Sequence, residues 1–80
     1  MRYILFVRAD CPFCTKAQAL LGENDLEYKV VDFKPSQDSI LNEIKDAYEW
    51  STVPMVFKRD GSSTNFIGGY TDLVEYLKNE

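Results

Sequence analysis

The chain reads as an α/β fold, a four-stranded mixed sheet built in the order β-α-β-α-β-β-α with helices on both faces. Three observations predict this. Short β-rich apolar runs alternate with stretches of helical periodicity through the first part of the chain. Asp60-Gly61 then separates two further short runs, a hairpin signal. Cys11-Pro12-Phe13-Cys14 stands where the first apolar run gives way to helical spacing, a strand-to-helix junction.

Residues 2–7 carry Tyr3-Ile4-Leu5-Phe6-Val7 and form the first, buried strand. Pro12 suits the first position of a helix, with its fixed φ and missing N–H. Ala17, Leu20 and Leu21 give that helix one apolar face, and Gly22 is its candidate C-cap before the loop Glu23-Asn24-Asp25. Residues 26–33 are the second strand, with Tyr28, Val30 and Val31 as packing residues. Pro35-Ser36 breaks the chain and offers Ser36 as an N-cap. Ile40, Leu41, Ile44, Ala47 and Tyr48 recur at helical spacing, and this helix ends around 48–50.

Residues 54–58 and 64–67 are the third and fourth strands, joined by Asp60-Gly61 in a turn widened by Ser62 and Ser63. Gly68-Gly69 ends the fourth strand. Thr71-Asp72 opens a last helix with Leu73, Val74 and Leu77 on its apolar face, and Asp72 with Glu75 has capping-box spacing. Phe6, Phe57, Phe66 and Tyr76 read as core. The first two strands are joined through a helix, so they are expected to be parallel with a right-handed crossover. Cys11 then falls at the C-terminal edge of a parallel strand, where open α/β sheets place their sites.

The two cysteines are the only ones in the chain. Two thiols at a helix start point to dithiol–disulfide chemistry. The helix N-terminus offers unpaired N–H groups and a partial positive charge, which favour a Cys11 thiolate, the nucleophile of disulfide exchange. Arg8, three residues earlier, is either a surface charge or a further stabiliser of that thiolate. A zinc site wants four Cys or His ligands, and the chain has two Cys and no His; a dimer or added carboxylates would be needed. As a purely structural bridge, so short a loop would stabilise weakly.

At 80 residues the chain is expected to form one domain, 1–80, around one modest core. A net charge of −4 gives no electrostatic support for nucleic-acid binding. No apolar stretch approaches the roughly 20 residues of a membrane span. A strand beginning at residue 2 or 3 leaves no room for a cleaved signal, so a cytoplasmic location is expected. There thiols are kept reduced, and a Cys pair is more often catalytic or metal-binding than a permanent bridge.

The sequence resembles the glutaredoxins. The Cys-Pro-aromatic-Cys motif, Thr52-Val53-Pro54 and Gly68-Gly69-Tyr70-Thr71-Asp72 occur in that family's order and spacing, and the resemblance covers essentially the whole chain. It is closest to the small dithiol bacterial forms, to which Phe6-Val7-Arg8 is also similar. The resemblance implies a thioredoxin-like fold, glutathione as reducing co-substrate and no metal. It implies Cys11 as the attacking and Cys14 as the resolving cysteine. It places the cysteinyl part of glutathione on Thr52, Val53 and Pro54, with a cis bond before the proline. Gly69, Thr71 and Asp72 would surround the γ-glutamyl end, with Arg8, Phe13 and Tyr70 completing the glutathione-binding set. Disulfide-containing or glutathionylated proteins, ribonucleotide reductase among them, are the implied protein substrates of a monomer.

The chain departs from the family at four places. Phe13 stands where Tyr is more frequent, and Met55 where Gln often follows the proline. Glu49-Trp50-Ser51 replaces residues that elsewhere supply basic or amide groups to the glycine carboxylate of glutathione. The hairpin around 58–63 also reads as longer than in the bacterial forms. Two other readings stand beside the dithiol glutaredoxin. One is a thioredoxin-type redoxin fed by a flavoprotein reductase, against which the Gly-Gly-Tyr-Thr-Asp block speaks. The other is a non-enzymatic iron–sulfur carrier, against which Pro12 and Cys14 speak.

Overall fold

The computed structural model describes residues 2–79. Along the chain, β1 (Arg2–Arg8) leads to α1 (Pro12–Glu23), β2 (Tyr28–Phe33), a 3₁₀ turn (Pro35–Gln37) and α2 (Asp38–Ala47). The hairpin β3 (Met55–Asp60) and β4 (Ser63–Gly68) follows, then α3 (Tyr70–Lys78). The strands form one sheet in the spatial order β2-β1-β3-β4. β1 is parallel to β2, and β3 is antiparallel to both β1 and β4.

Alternation along β1 builds a core on each face of the sheet. Tyr3, Leu5 and Val7 pack with Ala17 and Leu21 of α1, Val56 of β3 and Leu73 of α3. Ile4 and Phe6 turn to the other face, against Phe33, Leu41, Met55 and Phe57. Phe6 meets Phe33 edge-on at 5.3 Å and Phe57 at 4.9 Å between ring centroids, favourable aromatic geometries beyond simple burial. Helices therefore cover both faces: α1 and α3 one, α2 the other. No helix among the described residues is long and apolar enough to cross a membrane.

Several boundaries differ from the sequence expectation, each for a local reason. Gly22 lies inside α1, and Asn24 is the C-cap. The Asn24 side chain donates to the Leu20 carbonyl at 2.8 Å, and Asp25, at φ 54°, makes the left-handed turn. The Leu26 N–H then closes on the Leu21 carbonyl at 3.0 Å, so Leu26 finishes the helix turn and β2 starts only at Tyr28. Tyr28 sits on an edge strand and is exposed. Ser36 is within the 3₁₀ turn and does not cap α2. Gln37 closes that turn, its side-chain oxygen accepting from the Lys34 N–H at 2.9 Å.

On α2, Leu41 is buried and Ile44 half-buried, whereas Ile40 is 53% exposed; Tyr48 is the C-cap, 46% exposed with its ring against Phe57 and Phe66. A single sheet face meets this helix, so its apolar stripe is wider than its contact. Asp60 pairs with Ser63, leaving the two-residue turn Gly61-Ser62 rather than a widened loop. α3 begins at Tyr70 with Gly69 as N-cap, so Asp72 is the third helical residue and no N-cap. Its carboxylate reaches back to accept the Gly69 N–H at 2.9 Å, and the bond runs Gly69–Asp72 instead of Asp72–Glu75.

The two glycines before α3 are not equivalent. Gly68 has φ 128°, and a Cβ there would lie 2.7 Å from Asp72 Cγ and 2.8 Å from Asp72 Cβ. Gly69 has an ordinary extended backbone, and its Cβ would meet Trp50 Cζ2 at 3.6 Å, a normal contact. Gly68→Ala is expected to destabilise by about 2 kcal/mol or more, and Gly69→Ala by about 0.5 kcal/mol or less. Urea unfolding midpoints of the two variants check this; equal midpoints would contradict it.

Candidate functional site

The site grows from the end of the central strand. After Arg8 the chain turns through Ala9 and Asp10, the latter at φ 56°, which Asp tolerates better than most residues. Cys11 follows with extended backbone as the N-cap of α1, and Pro12 takes the first helical position. The Cys11 carbonyl accepts from the N–H groups of Cys14 (3.1 Å) and Thr15 (3.2 Å). Cys11 Sγ also accepts from the Cys14 N–H at 3.2 Å. A helix-terminal donor thus points at the sulfur.

Cys11 and Cys14 are joined in a disulfide, with Cα atoms 5.2 Å apart. Their surroundings differ. Cys14 is 2% exposed and belongs to the core with Leu5, Val7 and Ala17, whereas Cys11 is half-buried at its margin. Attack from outside therefore has access to one sulfur of the pair. Among the described residues, no three of His, Cys, Asp and Glu gather as a metal site requires.

Beside Cys11 lies a cleft of about 340 Å³. Phe13 lines it from α1; Trp50, Thr52, Val53 and Pro54 line it from the segment before β3; and Gly69, Tyr70, Thr71 and Asp72 line it at the start of α3. The Val53–Pro54 bond is cis, and the Val53 carbonyl oxygen is 3.8 Å from Cys11 Sγ. Phe13, half exposed, stacks at 5.9 Å on Tyr70 and carries the Lys16 ammonium 5.1 Å from its ring centre. The cleft thus brings together every residue singled out in the sequence for this role except Arg8. Arg8 instead forms an ion pair with Asp38 at the start of α2 and does not line the cleft.

Trp50 is the lining residue that sequence reasoning did not assign. Glu49, at φ 53°, ends the turn after α2, and the Trp50 N–H bonds to the Lys45 carbonyl at 2.8 Å. This swings the indole against Phe66, at 5.2 Å edge-to-face, and alongside Gly69. The available signal was a lone Trp in a polar stretch immediately before Thr-Val-Pro. Met55 is fully buried in the α2-side core, so the departure after the proline changes packing rather than the cleft surface. A larger cavity of about 500 Å³ lies between α2 and the sheet, and neither cysteine lines it.

With this geometry in hand, comparisons with known proteins are consistent. A glutaredoxin family model matches residues 3–62. Glutaredoxin-1 of Ectromelia virus (strain Moscow) is 36% identical over 78 residues, covering 89% of this chain and 67% of that protein. Glutaredoxin-1 of Monkeypox virus matches to the same extent. Among solved structures, glutaredoxin from Brucella melitensis superposes with a TM-score of 0.75 at 26% identity, covering 99% of this chain and 80% of that one. The buckwheat glutaredoxin–glutathione complex gives a TM-score of 0.79 at 20% identity over 96% of this chain and 68% of that one, a likeness of fold. A disulfide-forming Cys-Pro-Phe-Cys pair at a helix start, on a thioredoxin-like sheet matched by that family model over most of its length, makes this chain a member of the glutaredoxin family of thiol–disulfide oxidoreductases.

Proposed function

We propose that this chain is a glutathione-dependent oxidoreductase that reduces protein disulfides and glutathione mixed disulfides through Cys11 and Cys14. The observation that carries the reading is the cleft beside Cys11, with the start of α3 at its other side. Its volume of about 340 Å³ lies within the roughly 300–1,000 Å³ usual for small-molecule sites. A tripeptide thiol laid along it would have its sulfur at Cys11 Sγ and its cysteinyl backbone against Val53, as a short strand edge. The N–H groups opening α3 near Thr71 suit the γ-glutamyl carboxylate. Asp72 suits the γ-glutamyl ammonium: Oδ2 takes the Gly69 N–H, and Oδ1 is not part of that bond. Phe13 and Tyr70 provide apolar walls.

The cycle then balances as a series of thiolate exchanges. The Cys11 thiolate attacks a substrate disulfide, forms a Cys11–substrate bond and expels the other substrate sulfur as a thiolate. The Cys14 thiolate attacks Cys11 Sγ, which releases the second substrate thiolate and leaves the internal disulfide. One glutathione thiolate opens that bond at Cys11 and returns Cys14 as a thiol. A second attacks the glutathione sulfur of this mixed disulfide, giving glutathione disulfide and the Cys11 thiolate. Two electrons pass from two glutathiones to one disulfide. Ribonucleotide reductase is proposed as one protein substrate, on the family resemblance, and a reducing compartment such as the cytoplasm suits the donor.

Cys14→Ser is expected to retain reduction of a glutathione mixed disulfide, which needs one protein thiolate, and to lose reduction of a protein disulfide that needs two. Cys11→Ser is expected to lose both. A glutathione-reductase-coupled assay on each substrate class reads the difference; a Cys14→Ser protein inert towards the mixed disulfide would contradict the monothiol route.

Asp72→Asn is expected to lower kcat/KM for glutathione by about 1–3 kcal/mol, roughly 5- to 150-fold, the worth of a hydrogen bond to a charged group. Reduction by dithiothreitol should hardly change, because that neutral dithiol makes no such contact. The Asn side-chain oxygen can still accept the Gly69 N–H, so the thermal midpoint should hold. An unchanged kcat/KM would reduce Asp72 to a helix cap and favour a donor such as a flavoprotein thioredoxin reductase.

A further inference from the structure

We infer that the pocket between α2 and the sheet is a second ligand site, built for a small amphipathic carboxylate of the medium-chain fatty-acid class. The pocket holds about 500 Å³, within the range usual for small-molecule sites. It shares no lining residue with the cleft beside Cys11, so the inference stands apart from the glutathione reading. Alternation turns Arg2, Ile4 and Phe6 of β1 to the α2 side of the sheet. Phe6 packs there against the core of Phe33, Leu41, Met55 and Phe57, whereas the Arg2 end of the row opens to solvent.

The pocket has an apolar floor and a cationic rim. Ile4, Val31 and Phe57 form the floor from three adjacent strands, with Ile44 of α2 as a wall. Ile4, Val31 and Ile44 are only half-buried, so water meets apolar surface inside a concavity. Arg2, Lys29 and Arg59 supply every charge on the lining, and no carboxylate lies among its ten residues. This runs against the composition of a chain with nine basic and thirteen acidic residues.

The sheet register gathers the cations. Arg2 faces Arg59 across β1 and β3, a like-charge pair that costs stability as it stands. Lys29 of β2 is in register with Ile4, two residues along β1 from Arg2. Few of their donors are used. Arg59 Nε donates a long bond, 3.4 Å, to the Gly61 carbonyl. Arg2 donates from Nε and Nη2 to a single Glu27 oxygen, in an exposed and hence weak pair. The Lys29 ammonium has no ion-pair partner among the described residues. An anionic head between the two guanidiniums turns their repulsion into attraction, and the guanidinium fork matches a carboxylate. An alkyl tail then lies on Ile4, Val31 and Phe57 and displaces water from them. A free phosphate would use the rim alone and an uncharged lipid the floor alone. The two together select an amphipathic anion.

The test titrates the chain with decanoate and with decyltrimethylammonium, both below their micelle concentrations, and follows amide NMR shifts. The two probes share a tail and differ in the sign of the head. A net charge of −4 favours the cation over the surface as a whole, so preference for the anion has to be local. Saturable shifts at Ile4, Lys29, Val31 and Arg59 are expected, with decanoate bound about fivefold or more tightly than the cation. Arg59→Gln changes an exposed side chain and is expected to weaken decanoate about two- to fivefold. Its thermal midpoint should hold or rise, because the Arg2–Arg59 repulsion is gone. Thiol–disulfide turnover should be unchanged. No saturable shift, equal binding of the two probes, or an undiminished decanoate affinity in Arg59→Gln would overturn the inference. Shifts confined to the cleft beside Cys11 would overturn the placement. Shifts of these residues with protein concentration alone would assign the face to a second copy of the chain and overturn the ligand reading.

Discussion

The rest of the molecule depends on the burial of β1 between two strands and two helix layers. It pairs with β2 on one side and β3 on the other, and its alternate residues fill the cores on opposite faces. Leu5 is wholly excluded from solvent, and Tyr3 nearly so. A one-residue slip would expel Tyr3, Leu5 and Val7 from one core and drive Ile4 and Phe6 into it. With the register fixed in this way, the strand end at Arg8 and the turn into Cys11 have one place to be. The asymmetry of the two thiols follows. Cys14 is carried by α1 into the same core as Leu5, and Cys11 remains at its margin as the helix N-cap.

Electrostatics at the site come chiefly from backbone groups. Two helices begin there: α1 at Cys11 and α3 at Gly69. Their first N–H groups offer positive partial charge without a cationic side chain, one set beside the sulfur and the other across the cleft. Among the residues lining the cleft, Asp72 alone is charged. Arg8, three residues before Cys11, is paired with Asp38. Such a site favours a thiolate at Cys11.

Much of this was legible in the sequence because it rests on local chemistry. Alternation within 2–7, the helical spacing after Cys14 and Asp60-Gly61 each dictate an element, and their order dictates a mixed sheet. Cys11-Pro12-Phe13-Cys14 marks the reactive junction without any tertiary information. What was not legible depends on contacts distant in the chain. The pairing of Arg8 with Asp38 joins residues 30 positions apart. Trp50 enters the cleft because Glu49 turns the chain after α2 and Gly69 leaves room beside the indole. Asp72 moved from N-cap to third helical residue because Gly69 supplies the cap without a side chain, which capping preferences for Ser, Thr, Asp and Asn do not anticipate. Ile40 matches helical spacing as well as Leu41 does, but α2 has one sheet face to cover, and its exposure reflects that geometry.

The central claim is that the fold makes one of two chemically identical thiols the nucleophile. Timed alkylation of the fully reduced protein with iodoacetamide at pH 6, followed by peptide mass mapping, tests it most directly. At that pH an ordinary thiol with a pKa of about 8.5 is almost entirely protonated and slow to react. The account predicts that Cys11 is labelled at least roughly tenfold faster than Cys14, because a helix-terminal N–H faces its sulfur and solvent reaches it. Equal labelling, or Cys14 labelled first, would contradict the assignment on which the catalytic cycle stands.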